Sequence, residues 1–298
     1  MVMLSGAALA GLPEPRSGKV REVYDLGSEV LIVSTDRISA FDVIMQTGVP
    51  DKGRILNQMS LFWFDRLHDI CPNHVIASSE REIRARVPQS AEPLIGRTTI
   101  ARKATPLPVE CVVRGYITGS LYKEYRAGQT AIAGLPQGLL DGSRLADPIF
   151  TPSTKAMSGH DENISFNQMV DTVGREVAEQ ARDWTLELYI RARDHAERQG
   201  LILADTKFEF GLTEDGLILI DEALTPDSSR YWEASLWKPG GAQPSFDKQF
   251  LRDYLESIGW AKTPPGPELP DHVVSQTRAK YLEAFRRIVG RELDAATL

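Results

Sequence analysis

Asp205, Lys207 and Glu209 occupy alternate positions in "LILADTKFEFGL", a stretch that otherwise reads as an apolar core strand. Side chains on a strand alternate faces, so all three point the same way. The next apolar run, "LILIDEAL", closes on Asp221. With a three-residue loop, Glu214-Asp215-Gly216, and a positive φ at Gly216, Thr213 pairs with Leu217 and Glu209 falls opposite Asp221. Two carboxylates facing each other across a ladder repel. Lys207 offsets part of that charge. Mg²⁺ offsets it better, because a hard divalent ion takes one or two carboxylates together with phosphate oxygens. Glu209 and Asp221 are therefore candidate metal ligands; the plain alternative is a hairpin whose acids face water. Asp227 and Arg230, in "DEALTPDSSRYW", add a candidate base or substrate anchor and an anion clamp.

Cations stand in other motifs. Lys19 and Arg21 alternate after Ser17-Gly18 in "SGKVREVYDLG" and could lie over polyphosphate, or simply mark a charged edge strand. The spacings of the P-loop and of the dinucleotide fingerprint are both absent. "STDRISAFDV" sets Asp36, Arg37, Ser39 and Asp42 after a buried strand, where a helix cap or turn would use the same residue types. Arg114 follows a buried strand in "VVRGYITGSLYKEY", and arginine suits bidentate capture of phosphate or carboxylate. Gly119 and Ser120 open the helix-like "LYKEY" and offer free backbone N–H groups to an anion. "TPSTKAMSGHDENIS" supplies Ser153, Thr154, Lys155, His160 and Asp161; with no second His or Cys at ligand spacing, His160 reads as a surface residue. No nucleophile elbow and no reactive-cysteine context accompany these groups. Cations plus paired acids point to phosphoryl transfer by positioning and charge neutralisation.

The elements that must hold these residues follow from periodicity. "VREVYDLGSEVLIVST" reads as strand, turn, strand, and "RILNQMSLFWFDRLHDI" as a helix with Ile55, Met59, Phe62, Leu67 and Ile70 on one face. "VIASSEREIRARVP" and "TTIARKATPLPVECVVRGY" look β-rich, and Pro106 and Pro108 suit a crossing between domains. From Gly128 to Thr154 little periodicity is visible, which predicts a long loop. Ser165 and Gln168 have capping-box spacing; one helix then runs along Val170, Val173, Val177, Ala181, Trp184 and Leu188 to Gly200. After the hairpin, "SFDKQFLRDYLESIG" and "DHVVSQTRAKYLEAFRRIVG" predict two helices. Strands first, a mixed half, then helices favour an α+β fold.

Composition bounds the rest. The length of 298 residues suits two medium domains. A formal net charge of -7 argues against broad nucleic-acid binding, while leaving room for a local basic cleft. Cys71 and Cys111 read as buried thiols of a reducing compartment. "MVMLSGAALAGLPEP" has no basic residue before its apolar stretch and reads as a leader into the fold rather than a signal peptide. No apolar stretch is long enough to span a bilayer, so a cytoplasmic protein without membrane partners is expected.

"GKVREVYDLG", "STDRISAFD", "LPVECVVRGYITGSLYKEY", "TPSTKAMSGHDENIS", "LADTKFEFG" and "LIDEALTPDSSRYW" occur in that order between Gly18 and Trp232. Together they resemble the SAICAR synthetase family, with the C-terminal segment similar to the longer, yeast-like members. The resemblance implies a two-lobed α+β fold: a β-rich domain over residues 1–109, like the small lobe of a protein kinase, covering an ATP-grasp-like α+β domain over 110–298 with C-terminal helices. It implies a monomer whose substrates are ATP, L-aspartate and carboxyaminoimidazole ribonucleotide (CAIR), with Mg²⁺, giving the succinocarboxamide product SAICAR, ADP and phosphate by way of an acyl phosphate. By the same resemblance Lys19, Arg21, Lys103 and Glu110 meet ATP, and Glu209 and Asp221 hold the metal. Arg114, Ser120, Arg230, Asp36, Ser39 and Asp161 bind substrates, Asp161 being assigned to aspartate. Asp205 and Lys207 act at the transferring phosphate, and either Asp205 or a substrate carboxylate takes the amine proton. Arg21 stands where some members have Lys. A kinase-like small-molecule phosphotransferase would share the cleft but need no aspartate; a nucleotide sensor would need no turnover.

Overall fold

The computed structural model describes residues 4, 9, 11–89, 91–128, 134–155, 162–241, 243–246 and 248–293. β1 (Arg16–Ser17), β2 (Arg21–Asp25) and β3 (Glu29–Ser34) form an antiparallel ladder, with Gly27 taking φ 93 in the β2–β3 turn. A short ribbon follows, β4 (Ser39–Ala40) and β5 (Val43–Ile44), and then α1 (Lys52–Arg66). β6 (Val75–Ala77), α2 (Glu80–Arg86) and β7 (Thr98–Arg102) complete the first layer, a sheet in the order β1-β2-β3-β7-β6. The expected β-rich stretch from Val75 to Pro88 is strand only at its start. Ser79 and Glu82 make a reciprocal capping box there, and the helix-forming residues after it bury Ile83.

The second layer starts with β8 (Thr105–Pro106), β9 (Val109–Ile117) and α3 (Gly119–Ala127). β10 (Ser143–Phe150) and β11 (Ser153–Thr154) lie where a loop is predicted; the β10–β9 register shifts between Arg144 and Ile149, which erases the alternation that would reveal a strand. The single helix expected up to Gly200 is two, α4 (Phe166–Val173) and α5 (Arg175–Arg198), because Gly174 takes φ 84 and ψ 153 between them. The Ser165–Gln168 capping box is formed. β12 (Leu201–Thr213), β13 (Gly216–Ile220), β14 (Ser229–Glu233), α6 (Gln249–Ser257) and α7 (Asp271–Val289) complete the chain.

β12 organises this half, pairing with β9, β14, β13 and β8 along its length. Its pairing with β14 shifts between Leu203 and Asp205, and that bulge exchanges the two faces of the strand. Before it, Leu201 and Leu203 enter the main core; beyond it, Phe208 and Phe210 do. Asp205, Lys207 and Glu209 therefore emerge opposite the core, although Leu201 and Leu203 share their parity in the sequence. Tyr189 of α5 donates to the Leu203 carbonyl at 2.8 Å, close to the bulge. Gly115 makes room for it, since a Cβ there would sit 2.0 Å from the Tyr189 hydroxyl.

The core under this sheet also takes Ile55, Met59 and Trp63 of α1, each worth about 1.5–3 kcal/mol of burial. α1 thus packs on the larger layer while hanging from the smaller one. Gly53, at its start, lies so close to Ser34 that a Cβ would meet the Ser34 carbonyl at 2.1 Å. Ile38, Ala40 and Val43 of the ribbon region pack on Leu251, Leu255 and Val273 of α6 and α7. No described helix is long and apolar enough to cross a membrane.

Candidate functional site

A cavity of about 710 Å³ is lined by the β1–β2 turn, the ribbon, β9, β12 and the segments around β13, β14 and α6. Its floor is the β9–β12 ladder, where Arg114 pairs with Asp205 and Val112 with Lys207. The Arg114 guanidinium donates to Asp205 Oδ2 at 3.2 Å, Thr151 Oγ1 at 3.0 Å and Ser120 Oγ at 3.3 Å. Burial pushes this guanidinium below its ordinary pKa, against the pull of Asp205. Arg230 reaches the same Asp205 carboxylate from β14. Gly119, at φ 61, permits this: a Cβ there would lie 2.6 Å from Arg230 Nη2. The structure therefore brings Arg114, Ser120, Asp205 and Arg230 to one place. Further along the floor, Lys207 Nζ donates to Glu110 Oε1 at 2.6 Å.

At the hairpin end the expected register is off by one. Thr213 pairs with Gly216 and Glu209 with Ile220, so the loop is Glu214-Asp215 and the positive φ of Gly216, 114, falls inside the pairing. Asp221 is the first residue past β13 and turns into the left-handed region at φ 70. The two acids still line one cavity, without being cross-strand partners. Arg21 donates to Asp221 Oδ2 at 2.6 Å and pairs with Glu222 Oε1 at 2.8 Å. Lys155 pairs with Glu209. Burial raises the Asp221 carboxyl above the ordinary aspartate range; Glu209 adds to the rise and Arg21 opposes it. Beneath the hairpin, the His74 N–H donates to the Leu219 carbonyl at 3.0 Å, and the Leu219 N–H to the Pro72 carbonyl at 2.9 Å, which fixes the strand that delivers Asp221.

Asp227, a candidate base or substrate anchor in the sequence, lines the cavity with its carboxylate already engaged. Its carboxylate, 2% exposed, already accepts from Lys52 Nζ at 2.7 Å and from the Tyr281 hydroxyl at 2.6 Å, with Lys248 Nζ at 3.1 Å. Burial alone would raise its pKa; Lys248 and Lys52 outweigh that and hold it well below the usual carboxylate range. It ties α1, α6 and α7 to the cavity wall.

Two expected residues, Asp36 and Lys103, do not line the cavity. Asp36, 1% exposed, accepts from the Gly53 N–H at 3.0 Å and pairs with Arg97 at 3.0 Å, joining the end of β3 to the start of α1. The Lys103 side chain bonds Asp25 at 2.6 Å on an exposed face. Lys19, Arg21, Glu110 and Ser39 do line the cavity, with Lys19 paired to Asp42. Asp161 and His160 lie outside the described residues. Lys248 and Arg252 line the cavity as well, and the helix pattern alone did not single them out. Their four-residue spacing, beside the buried Leu251 and Leu255, is the signal for a cationic helix edge facing a cleft. Cys71 and Cys111 are both free and buried, and burial pushes each thiol up to about 12, as suits inert core residues.

A two-layered α+β fold with an arginine-bearing floor and an acid-bearing hairpin around one polar cavity defines a class of small-molecule enzyme. The SAICAR synthetase family model matches residues 14–267. Phosphoribosylaminoimidazole-succinocarboxamide synthase of Geobacter sulfurreducens is 56% identical over 277 residues, covering 92% of this chain and 93% of that protein. Its counterpart from Geotalea uraniireducens is 55% identical over 276 residues, covering 92% and 93%. Among solved structures, the SAICAR synthase of Saccharomyces cerevisiae complexed with SAICAR superposes with a TM-score of 0.88 at 41% identity, covering 97% of this chain and 99% of that one. The chain belongs to the SAICAR synthetase family.

Proposed function

We propose that this chain is an ATP-dependent amide-forming ligase of purine biosynthesis, joining L-aspartate to the carboxylate of CAIR with release of SAICAR, ADP and phosphate. The observation that carries this reading is one cavity uniting the Arg114–Ser120–Arg230 cluster with Glu209 and Asp221 beside Lys19 and Arg21. The clustered guanidiniums and the Ser120 hydroxyl suit the ribonucleotide phosphate. The CAIR carboxylate attacks the γ-phosphorus, ADP departs and an acyl phosphate forms. The aspartate amine then attacks the acyl carbon and expels phosphate. Asp205 already accepts from two guanidiniums, so it serves to orient them, and the proton of the amine leaves to a substrate carboxylate.

Magnesium fits the hairpin end. Glu209 and Asp221 are hard oxygen donors whose mutual repulsion is offset in this structure by Arg21 and Lys155. Among the described residues no cluster of three or more His, Cys, Asp or Glu is arranged for a metal, so the remaining ligands would be phosphate oxygens and water. Held by these two acids, the ion would supply charge neutralisation at the phosphoryl oxygens. We take the monomer, acting in the cytoplasm, as the working unit of this reading.

The test is coupled ADP release with CAIR and aspartate, each omitted in turn, before and after chelation of divalent ions. Release requiring both substrates and the metal is the expected result. Release that persists without aspartate would favour a kinase-like transfer instead.

A further inference from the structure

Arg37 stands in "STDRISAFD" but does not line the cavity. Its side chain, 14% exposed, lies behind the β1–β2 turn that carries Lys19 and Arg21. Nη2 donates to the Gly18 carbonyl at 2.9 Å and to that of Arg21 at 3.3 Å, Nε donates to the Lys19 carbonyl at 3.1 Å, and Nη1 meets the Glu22 carboxylate. The remaining carbonyl of the turn, that of Val20, accepts from the Thr35 N–H at 2.9 Å and its hydroxyl at 2.8 Å. The Gly18 N–H closes the turn onto the Arg21 carbonyl at 2.8 Å. Every backbone carbonyl from Gly18 to Arg21 is thus engaged by a donor, mostly from residues 35 and 37.

This matters for an anionic ligand. A carbonyl dipole aimed at a phosphate repels it, whereas a turn whose oxygens are all occupied presents its side-chain cations without that penalty. A planar guanidinium can bridge several carbonyls at fixed angles, which an ammonium cannot. We propose that Arg37 is the positioning residue of the nucleotide lid: it sets the Gly18–Arg21 turn so that Lys19 and Arg21 meet the ATP phosphates. The proposal rests on the reading that this cavity takes ATP.

Arg37→Gln and Arg37→Lys test it. ADP affinity is measured by titration calorimetry with magnesium present, and the KM for CAIR in the full reaction. Arg37→Gln should weaken ADP about tenfold, and Arg37→Lys by a smaller factor because the fork is lost while the charge stays. The KM for CAIR should stay within about twofold in both, since the floor cluster is untouched. Unchanged ADP affinity overturns the proposal, as does parallel weakening of ADP and CAIR. Loss of cooperative unfolding in both variants overturns it too, because Arg37 would then be a stability residue. If the unaltered chain fails to bind ADP, the ATP reading falls with it, an outcome separable from normal wild-type binding with indifferent variants.

Discussion

On the β9–β12 floor the charged side chains find their partners within one sheet: Arg114 and Arg230 on Asp205, Lys207 on Glu110. At the hairpin end, Glu209 and Asp221 take theirs from elsewhere, Lys155 from beyond β11 and Arg21 from the first layer. Arg114 is 6% exposed against 39% for Lys155. A pair locked in a buried ladder keeps its geometry whether or not a ligand is present. A pair assembled across layers depends on how those layers sit, and an exposed ammonium yields readily to a competing cation. The Arg114–Asp205 pair of the floor is therefore preformed, whereas Lys207, 40% exposed, is as open as Lys155. On the proposed function, the hairpin end is where Lys155 and Arg21 would give way to a metal and phosphate.

The sharpest way to break this contrast is Asp221→Asn, which removes a charge while keeping the shape. It should lower kcat by about 10²–10³-fold with little change in thermal midpoint. Near-normal turnover would show that the hairpin acids do not act on the phosphoryl group. Next in size, Arg114→Ala should raise the KM for CAIR about 10- to 100-fold while that for ATP moves only a few-fold. Equal effects on the two substrates would erase the distinction between floor and hairpin.

A separate test, on stability rather than turnover, concerns the support under Asp221. Burial pushes the His74 imidazole from the ordinary 6.5 down to about 4. Between those values the unfolded chain is protonated at this residue and the folded one is not. Stability tied to His74 is therefore complete above pH 6.5 and is lost as pH falls towards 4, by at most about 3 kcal/mol. His74→Phe should flatten the stability profile in that window, as measured by urea melts at several pH values. An unaltered slope would detach His74 from the hairpin.

The chemistry was legible because residue types and alternation survive without coordinates: Asp205, Lys207 and Glu209 do share the cavity. Their register did not follow, because a one-residue slip exchanges the faces of a strand and the unbroken apolar run Leu217 to Ile220 does not report which face is which. The bulge after Leu203 was invisible for a related reason, since four apolar residues in a row conceal a change of face. The Ser79–Glu82 spacing fits a capping box, a signal that the apparently β-rich composition around it conceals. Asp36 and Asp227 illustrate a different limit. Each is an acid in a site-like motif, and only tertiary structure shows that buried cations or backbone donors already saturate it. Lys248 and Arg252 reach the cavity only through the packing of α6 on the ribbon, a long-range fact.

The left-handed backbone of Asp221, at φ 70, carries a lesson for engineering. Glycine is more comfortable in that conformation than any residue bearing a side chain. A thermostability screen that scores only backbone ease would nominate position 221 for glycine and obtain a relaxed loop lacking its carboxylate. If Asp221 holds the metal as proposed, such a variant would trade function for backbone ease, so this position belongs on the exclusion mask of any redesign.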